Sequence, residues 1–285
     1  MIINGMGIDL EDYYHVSAFE NILSDDDKEN LPRFIVSATN LLLSIFEKYN
    51  IKATFFCLGL VAQDYPDLIR KIYYHGHEIA AHSMTHKRVR DMDAESFLKD
   101  AIEIKKFLED ITGHEITGYR APSFSIGKET PFFYECLEQA GYKYSSSLNP
   151  IAHDHYGDAS APRFSFYPEG SKILEIPVTT AEYFGKRIPA GGGGWFRLMP
   201  YFLYRFLIKQ TQKQKKPIIF YTHPWEFSPE QPDIEGLNAK TKFRHYVNLK
   251  HMEGKFDSLC RDYEWGRMDA VFEKEYVINR SCHSE

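Results

Sequence analysis

Short apolar runs alternate with amphipathic stretches along most of the chain. Apolar residues at helical spacing predict helices, and short runs rich in β-branched and aromatic residues predict strands. Strands are expected at 2–9, 52–59, 77–82, 116–120, 141–147, 172–178 and 217–223. Helices are expected at 33–48, 66–74, 94–111, 130–140 and 199–211, with a last one marked by Leu249, Met252, Phe256 and Leu259. This alternation is typical of parallel β-α units.

The number of these units predicts the fold class. Six or more units in one α/β chain favour a (β/α) barrel similar to a TIM barrel over a small open sheet. Residues 227–285 follow the last predicted strand and are expected to form a C-terminal helical extension packed on the barrel. No composition break or linker precedes them, so residues 1–285 are expected to form a single domain.

Two stretches interrupt the alternation. Residues 148–171 are turn-rich and are expected to form a long loop over the functional site. The loop carries His153, Asp154 and His155, which could contact a substrate, although surface positions are the simpler interpretation. The AGGGGW stretch at 190–195 is expected to be a flexible turn. It lacks the Gly-Lys-Ser/Thr of a phosphate-binding loop, so nucleotide binding is not favoured.

Charge and cysteine usage narrow the class of protein. The net charge is 34 − 40 = −6, which argues against a nucleic-acid binder. The N-terminus has no basic segment typical of a secretory signal, and no apolar run approaches the ~20 residues that span a bilayer. The widely spaced cysteines are expected to be free thiols in a reducing compartment, and they are Cys57, Cys136, Cys260 and Cys282. We therefore expect a cytoplasmic protein without stable membrane insertion.

Four residues able to carry chemistry lie at the ends of predicted strands. They are Asp9, His82, Arg120 and His223. Barrel enzymes collect their reactive groups at the carboxyl ends of the strands. We therefore expect these four side chains to meet at one face of the barrel.

The HSMTH segment indicates a metal site. His82 and His86 are four residues apart, a spacing that puts both rings on one face of a helical turn and lets both reach one ion. Spacing alone is also compatible with two ordinary surface histidines. The run Asp9-Leu10-Glu11-Asp12 offers three carboxylates after a buried strand. Such a group is costly to assemble without a cation, although a solvated turn or a helix cap is the simpler alternative.

The sequence resembles the polysaccharide deacetylases of the NodB-homology type, carbohydrate esterase family four. The segments that carry the resemblance are GIDLEDYYHVSAF (7–19), ATFFCLG (53–59), GHEIAAHSMTH (76–86), YRAPSFS (119–125), LEIPV (174–178) and YTHPWEF (221–227). Within this family it is similar to the bacterial exopolysaccharide-locus deacetylases, through GGGWFR (192–197) and FRHYVNL (243–249). The resemblance extends over nearly the whole chain.

The resemblance implies a distorted (β/α) barrel that hydrolyses N-acetyl groups on sugars with one divalent ion. Zinc is the expected ion, with cobalt and nickel as alternatives. By position, His82 and His86 match the family's metal-binding histidines, and Asp9 matches its general base. The metal carboxylate is then Glu11 or Asp12, and the resemblance favours Glu11.

The remaining roles also come from the resemblance. Arg120 would set the protonation state of the base by pairing with an acid, the backbone N–H of Ser123 would stabilise the oxyanion, and His223 would protonate the leaving amine. The family usually has an aspartate where this chain has 144–147, so Asp154 or Asp158 of the long loop could substitute for it.

The expected function is N-deacetylation of a saccharide, in the biosynthesis of a surface polysaccharide. A lipid-linked or nucleotide-linked intermediate is the narrower expectation. Trp225 could stack on the sugar ring, although tryptophan is more often part of a core. Two other functions stay open: an amidohydrolase for a small non-sugar amide, and a glycan-binding protein without turnover.

Overall fold

The computed structural model describes residues 2–16, 19, 22–151 and 157–275. Its strands are β1 (Asn4–Leu10), β2 (Thr54–Cys57), β3 (Glu78–Ala81), β4 (Gly118–Tyr119), β5 (Tyr144–Ser145), β6 (Leu174–Glu175), β7 (Thr180–Tyr183), β8 (Lys186–Pro189), β9 (Ile219–Thr222) and β10 (Trp265–Gly266). Its α-helices are α1 (Asp25–Asn30), α2 (Ile35–Lys48), α3 (Gly59–Asp64), α4 (Pro66–Tyr74), α5 (Ala94–Thr112), α6 (Phe133–Gln139), α7 (Gly193–Leu198), α8 (Tyr201–Gln212), α9 (Ala239–Tyr246), α10 (Met252–Asp262) and α11 (Met268–Val271).

Parallel pairing organises the main sheet. The strand order is β10-β1-β2-β3-β4-β5-β6, and β9 pairs with β1. All seven residues of β1 are buried, because helices cover one side of the sheet and the barrel interior fills the other. Asp9 is in register with Phe56 of β2, and Ile8 with Thr222 of β9. The carboxyl ends of these strands therefore lie level, at one face.

The sheet forms a half-barrel whose two edges are linked by irregular backbone. After β6, the N–H of Thr179 donates to the carbonyl of Ile219 at 3.3 Å. Farther along, the N–H of Tyr221 donates to the carbonyl of Gly191 at 2.7 Å. These bonds connect the β6 side to β9 without a regular strand. The predicted distorted barrel is confirmed.

The AGGGGW stretch is not the flexible turn that we expected. Gly191, Gly192 and Gly193 are buried, and α7 begins at Gly193. A Cβ at Gly191 would lie 2.6 Å from the backbone nitrogen of Thr179, and one at Gly193 would lie 2.2 Å from Oε1 of Glu226. The glycines are needed because other parts of the chain pack directly against their backbone.

The C-terminal region contacts the barrel and also extends its sheet. Phe256 of α10 contacts Phe46 of α2 and Phe220 of β9, with ring centroids 5.9 and 6.0 Å apart. The short strand β10 pairs with Asn4 and Gly5 of β1, a contribution that the sequence analysis missed.

Three further expectations concern the rest of the chain. Residues 148–151 and 157–171 contain no helix or strand, while His153, Asp154 and His155 lie outside the described residues. The described cysteines Cys57, Cys136 and Cys260 are buried and unpaired, and Cys282 also lies outside. None of the helices in the described ranges is long and apolar enough to span a bilayer.

Candidate metal and acid–base site

The carboxyl ends of β1, β3, β4 and β9 bring the expected residues together. Asp9 is the penultimate residue of β1, and His82, Arg120 and His223 each follow directly after their strands. Asp9, His82 and Arg120 are at most 2% exposed, whereas the side chain of His223 is 19% exposed. The site therefore opens to solvent on the His223 side.

Glu11, His82 and His86 form the candidate metal centre. One ligand atom from each lies within 4.8 Å of the others, and all three side chains are buried. His82 Nδ1 lies 2.8 Å from the carbonyl oxygen of Arg120, an acceptor, so this nitrogen carries the proton. The lone pair of His82 is then on Nε2, as in metal-ligating histidines that donate their other N–H to a carbonyl.

The loop that carries the two histidines is not helical, in contrast to our expectation of a helical turn. Ser83 and His86 both adopt left-handed backbone conformations, with φ of 65° and 64°. The carboxylate of Asp100 holds the loop by accepting from the N–H of Met84 at 3.1 Å and the hydroxyl of Ser83 at 3.3 Å. The two rings converge because the backbone reverses, and their centroids are 5.4 Å apart.

The protonation states of this group fit a divalent ion. Burial disfavours the charge on Glu11, but the neighbouring histidines His86, His223 and His82 outweigh it and hold the pKa of the carboxyl well below its usual value. Burial lowers the pKa of His82 to about 4, so its imidazole is neutral. Glu11 Oε2 is buried with no well-directed hydrogen bond, although His86 Nε2 lies 2.8 Å away. An ionised carboxylate and neutral imidazole are the forms that bind zinc.

Asp12 does not join this group. One of its oxygens accepts from the N–H of Tyr13 at 2.9 Å, and the other accepts from Phe34 and Ile35 at 3.0 and 3.1 Å. Both oxygens therefore cap backbone turns, including the start of α2. Of the two carboxylates left open by the sequence, the geometry favours Glu11.

Arg120 is buried beside Asp9. Its Nη1 lies 2.6 Å from Asp9 Oδ1, while Nε and Nη2 donate to the carbonyl and hydroxyl oxygens of Ser146 at 2.9 and 2.8 Å. Asp9 itself is therefore the acid partner of Arg120. Our suggestion that Asp158 substitutes for a missing acid is wrong, because its carboxylate accepts from Ser160 instead, and Asp154 lies outside the described residues.

His223 is oriented by a carboxylate that the sequence analysis missed. Nδ1 of His223 lies 2.9 Å from Glu226 Oε1, and Nε2 faces Glu11 Oε1 at 3.4 Å and Asp9 Oδ2 at 3.9 Å. Arg197 pairs with the other oxygen of Glu226 at 2.7 Å, and both side chains are buried. The usable signal was the spacing of His223 and Glu226 in HPWEF, which folds into a 3₁₀ turn at Pro224–Phe227.

The charges around His223 favour its protonated form. Burial lowers the pKa of His223. The hydrogen bond to Glu226 and the negative charges of Glu11, Glu226 and Asp9 outweigh burial and raise this pKa to about 9. Burial opposes ionisation of Glu226, and Arg197 together with His223 overcomes this and lowers its pKa to about 2. Arg197, Glu226 and His223 thus form a chain of alternating charge.

Two further predicted residues are Trp225 and Ser123. Trp225 is only 5% exposed and stacks on His223 and His245, with centroids 5.2 and 4.5 Å away. Its ring has little surface left for a sugar, so the structure corrects the proposed substrate contact to a packing role beside His223. Ser123 lies in the turn after Arg120 with φ of 53°, and its role as an oxyanion donor stays a prediction.

The fold and the site together define an α/β half-barrel with a candidate metal centre and an acid–base pair at its strand ends. Comparison with known proteins shows which families match each part of the chain. Residues 23–145 match the polysaccharide deacetylase family, and residues 146–273 match a domain of unknown function, DUF3473. One stretch of the chain is therefore similar to polysaccharide deacetylases, and the stretch that follows it is similar to a domain of unknown function.

Curated relatives and solved structures resemble parts or all of the chain. A peptidoglycan deacetylase of Helicobacter pylori is 32% identical over 107 residues, which are 38% of this chain and 36% of the relative. A chitooligosaccharide deacetylase of Rhizobium leguminosarum bv. trifolii is 35% identical over 65 residues, 23% of this chain and 30% of the relative. The chain thus spans about a third of the length of these curated relatives.

The solved structures show the same fold over most of the chain. A candidate polysaccharide deacetylase from Mycobacterium smegmatis superimposes with a TM-score of 0.61 at 18% identity, covering 95% of this chain and 90% of that protein. Puue allantoinase superimposes with a TM-score of 0.55 at 16% identity, covering 87% of this chain and 74% of that protein. At these identities the likeness supports the half-barrel alone.

Proposed function

We propose that this chain is a metal-dependent hydrolase that removes acetyl groups from N-acetylated saccharides. The observation that carries the proposal is the placement of Asp9 and His223 beside the ligand group Glu11, His82 and His86, at one end of the half-barrel. Purely structural metal sites need neither a base nor an acid. The deacetylase names of the relatives support a saccharide as substrate.

The ligand group would hold one divalent ion, with zinc as the expected metal and cobalt or nickel as alternatives. When bound, the ion supplies Lewis acidity towards water and the acetamide carbonyl. The carbonyl of Arg120 fixes the orientation of the His82 ring, so this arginine supports the metal centre through its backbone.

Asp9 and His223 would divide the proton transfers. Arg120 binds Oδ1 of Asp9, and Oδ2 remains to take a proton from the attacking water. Water adds to the acetamide carbon, and the backbone N–H of Ser123 would stabilise the oxygen that becomes negative. His223 Nε2 then donates a proton to the sugar nitrogen as the C–N bond breaks, which yields acetate and a free amine. Glu226 keeps Nε2 pointed into the site by holding Nδ1.

The narrower substrate is a saccharide intermediate of surface polysaccharide biosynthesis, lipid-linked or nucleotide-linked, handled in the cytoplasm. This part of the proposal rests on the resemblance to exopolysaccharide-locus deacetylases. Detection of the natural protein outside the cytoplasm would remove its basis.

Acetate release from a panel of N-acetylated oligosaccharides tests the proposal. The protein is assayed after chelation and again after zinc, cobalt or nickel is added back. We expect release that depends on added metal and is lost in Asp9→Asn, while that variant still binds metal. Turnover of small non-sugar amides alone would favour an amidohydrolase. Glycan binding by a metal-loaded protein that never releases acetate would favour a binding protein.

A further inference from the structure

The chain has a long segment without acidic residues. Between 183 and 225 there are eight lysines and arginines and no aspartate or glutamate, in a protein whose net charge is −6. The positive residues are Lys186, Arg187, Arg197, Arg205, Lys209, Lys213, Lys215 and Lys216. Except for Arg197 and Arg187, their side chains are exposed. The segment forms a basic surface on an otherwise acidic protein.

An exposed apolar cluster lies on the same segment. We call it the aromatic patch: Tyr183, Phe184, Phe202, Leu203 and Phe206, which are 44%, 88%, 76%, 40% and 40% exposed. Tyr183 at the end of β7 contacts Phe206 of α8, with ring centroids 5.7 Å apart, and Phe184 at 4.4 Å. Phe202 and Phe206 are one helical turn apart on α8, so they share a face. The hairpin tip and the helix therefore present one continuous patch.

The fold does not explain why a phenylalanine occupies position 184. Tyr183 pairs with Lys186, so Phe184 and Gly185 form the two-residue turn of the β7–β8 hairpin, with φ of 48° and 70°. Such a turn prefers asparagine, aspartate or glycine, because a left-handed backbone is costly for a bulky side chain. Phe184 bears this cost while burying almost none of its ring. An external apolar contact would account for it.

The basic residues border the patch on both sides. Lys186 follows the hairpin tip, and Lys209 lies one turn after Phe206 on α8. Two carboxylates also contact this region, and both have partners: Glu182 pairs with Arg163 at 3.0 Å and Asp262 with Arg205 at 3.4 Å. The charge that faces solvent around the patch is therefore positive.

We propose that the aromatic patch and its basic border dock this protein on an anionic lipid bilayer. Aromatic side chains protruding between lysines match the interface between headgroups and acyl chains, where rings insert shallowly and ammonium groups meet lipid phosphates. A hairpin tip and one helix face suit a yielding lipid surface better than a rigid partner. The docking itself requires no spanning segment, and it does not depend on the proposed deacetylase activity.

Cosedimentation with lipid vesicles tests the docking in the absence of any substrate. The full chain is mixed with vesicles of phosphatidylcholine, with and without phosphatidylglycerol. We expect binding to the vesicles that contain phosphatidylglycerol, weakened by salt, and little binding to phosphatidylcholine alone. Phe184→Asn and Phe202→Ser are each expected to weaken binding about tenfold. Tyr74→Ser, which removes a 78% exposed ring on α4, is the control and should leave binding unchanged.

Charge and stability readouts complete the test. Lys209→Gln should weaken binding about fivefold, whereas Lys106→Gln on the exposed side of α5 should not. Phe184→Asn should keep or raise the melting temperature, since asparagine suits the turn, so lost binding cannot be attributed to unfolding. Equal binding by the wild type and Phe184→Asn would overturn the proposal. So would a concentration-dependent dimer that Phe202→Ser abolishes without any vesicle binding, because the patch would then be covered by a second copy.

Discussion

Glu226 holds the Nδ1 atom of His223 at 2.9 Å, and the other ring nitrogen of His223 faces Asp9 and Glu11. This contact fixes which nitrogen is presented to the centre of the site. It also connects the site to Arg197, which pairs with the far side of the Glu226 carboxylate. These contacts hold the ring of His223, the proposed proton donor, in one orientation.

Replacing Glu226 by glutamine should lower kcat about 10²-fold or more, because His223 loses the charge that keeps it protonated and oriented. KM should change little, since Glu226 is buried away from solvent. Steady-state acetate release measures both constants. Glu230→Gln, an exposed carboxylate nearby, is the control.

The same substitution leaves Arg197 without its charged partner, and breaking a buried ion pair costs about 3–5 kcal/mol. Thermal unfolding of the variant must therefore accompany the kinetics. A folded Glu226→Gln protein with unchanged kcat would contradict the orienting role.

Glu11 and Asp12 should respond differently to neutralisation. Glu11→Gln should lose most of its bound zinc, since Glu11 supplies the carboxylate of the ligand group. Asp12→Asn should keep the zinc but lose about 1 kcal/mol of stability, because its oxygens cap backbone N–H groups. Metal content by mass spectrometry after dialysis, together with urea unfolding, distinguishes the two. Zinc lost only from Asp12→Asn would reverse the assignment.

Adjacent glycines provide a matched pair at the start of α7. A methyl group at Gly193 would lie 2.2 Å from Oε1 of Glu226, whereas a methyl group at Gly194 has no heavy atom within 4 Å. Gly193→Ala should therefore displace the carboxylate and reduce kcat by about tenfold or more. Gly194→Ala should keep full activity and gain up to about 1 kcal/mol of stability from its helix propensity. Equal activity of both variants would show that Glu226 tolerates displacement.

Glu78, at the opposite end of β3, predicts a pH dependence of stability. Burial, with a further contribution from the charge of Asp269, raises the pKa of Glu78 to about 8 in the folded protein, from 4.5. Its contribution to stability is complete below pH 4.5 and is lost as the pH rises through about 8, because the folded state binds the proton more tightly.

Glutamine imitates the protonated form of Glu78 and can still accept from Tyr144. The free energy of unfolding of Glu78→Gln, minus that of the wild type, should therefore increase by about 1 kcal/mol or more between pH 5 and pH 9. Urea unfolding at several pH values measures this difference. Glu47→Gln, at an exposed position of α2, should show no such trend. A difference that stays constant with pH would contradict the elevated pKa.

Periodicity located the elements that dominate the sheet and its helices. α2, α4, α5 and α8 lie within two residues of their expected bounds, since each has a continuous apolar face. The hairpin β7–β8 was missed because its burial is low and its turn contains Phe184 instead of the usual asparagine or glycine. β10 was missed because two residues carry no detectable alternation.

Part of the candidate site could also be predicted from the sequence. Strand ends identified Asp9, His82, Arg120 and His223, because parallel strands align their carboxyl ends whatever lies between them. Contacts across long sequence separations were not accessible. The Arg120–Asp9 pair joins residues 111 apart, and the Arg197–Glu226 pair joins residues 29 apart. No pattern in one sequence specifies which buried charges meet.

The strand β9 lies beside β1, and this pairing has a consequence for how the protein can be divided. The candidate ligands His82 and His86 come from the stretch that matches the deacetylase family, His223 and Glu226 come from the stretch that matches DUF3473, and Asp9 and Glu11 precede both. A fragment ending at residue 145 would keep all three candidate ligands and lack His223, the proposed proton donor. Under the proposed function, both stretches contribute side chains to one site, so neither stretch alone contains all of the proposed catalytic residues.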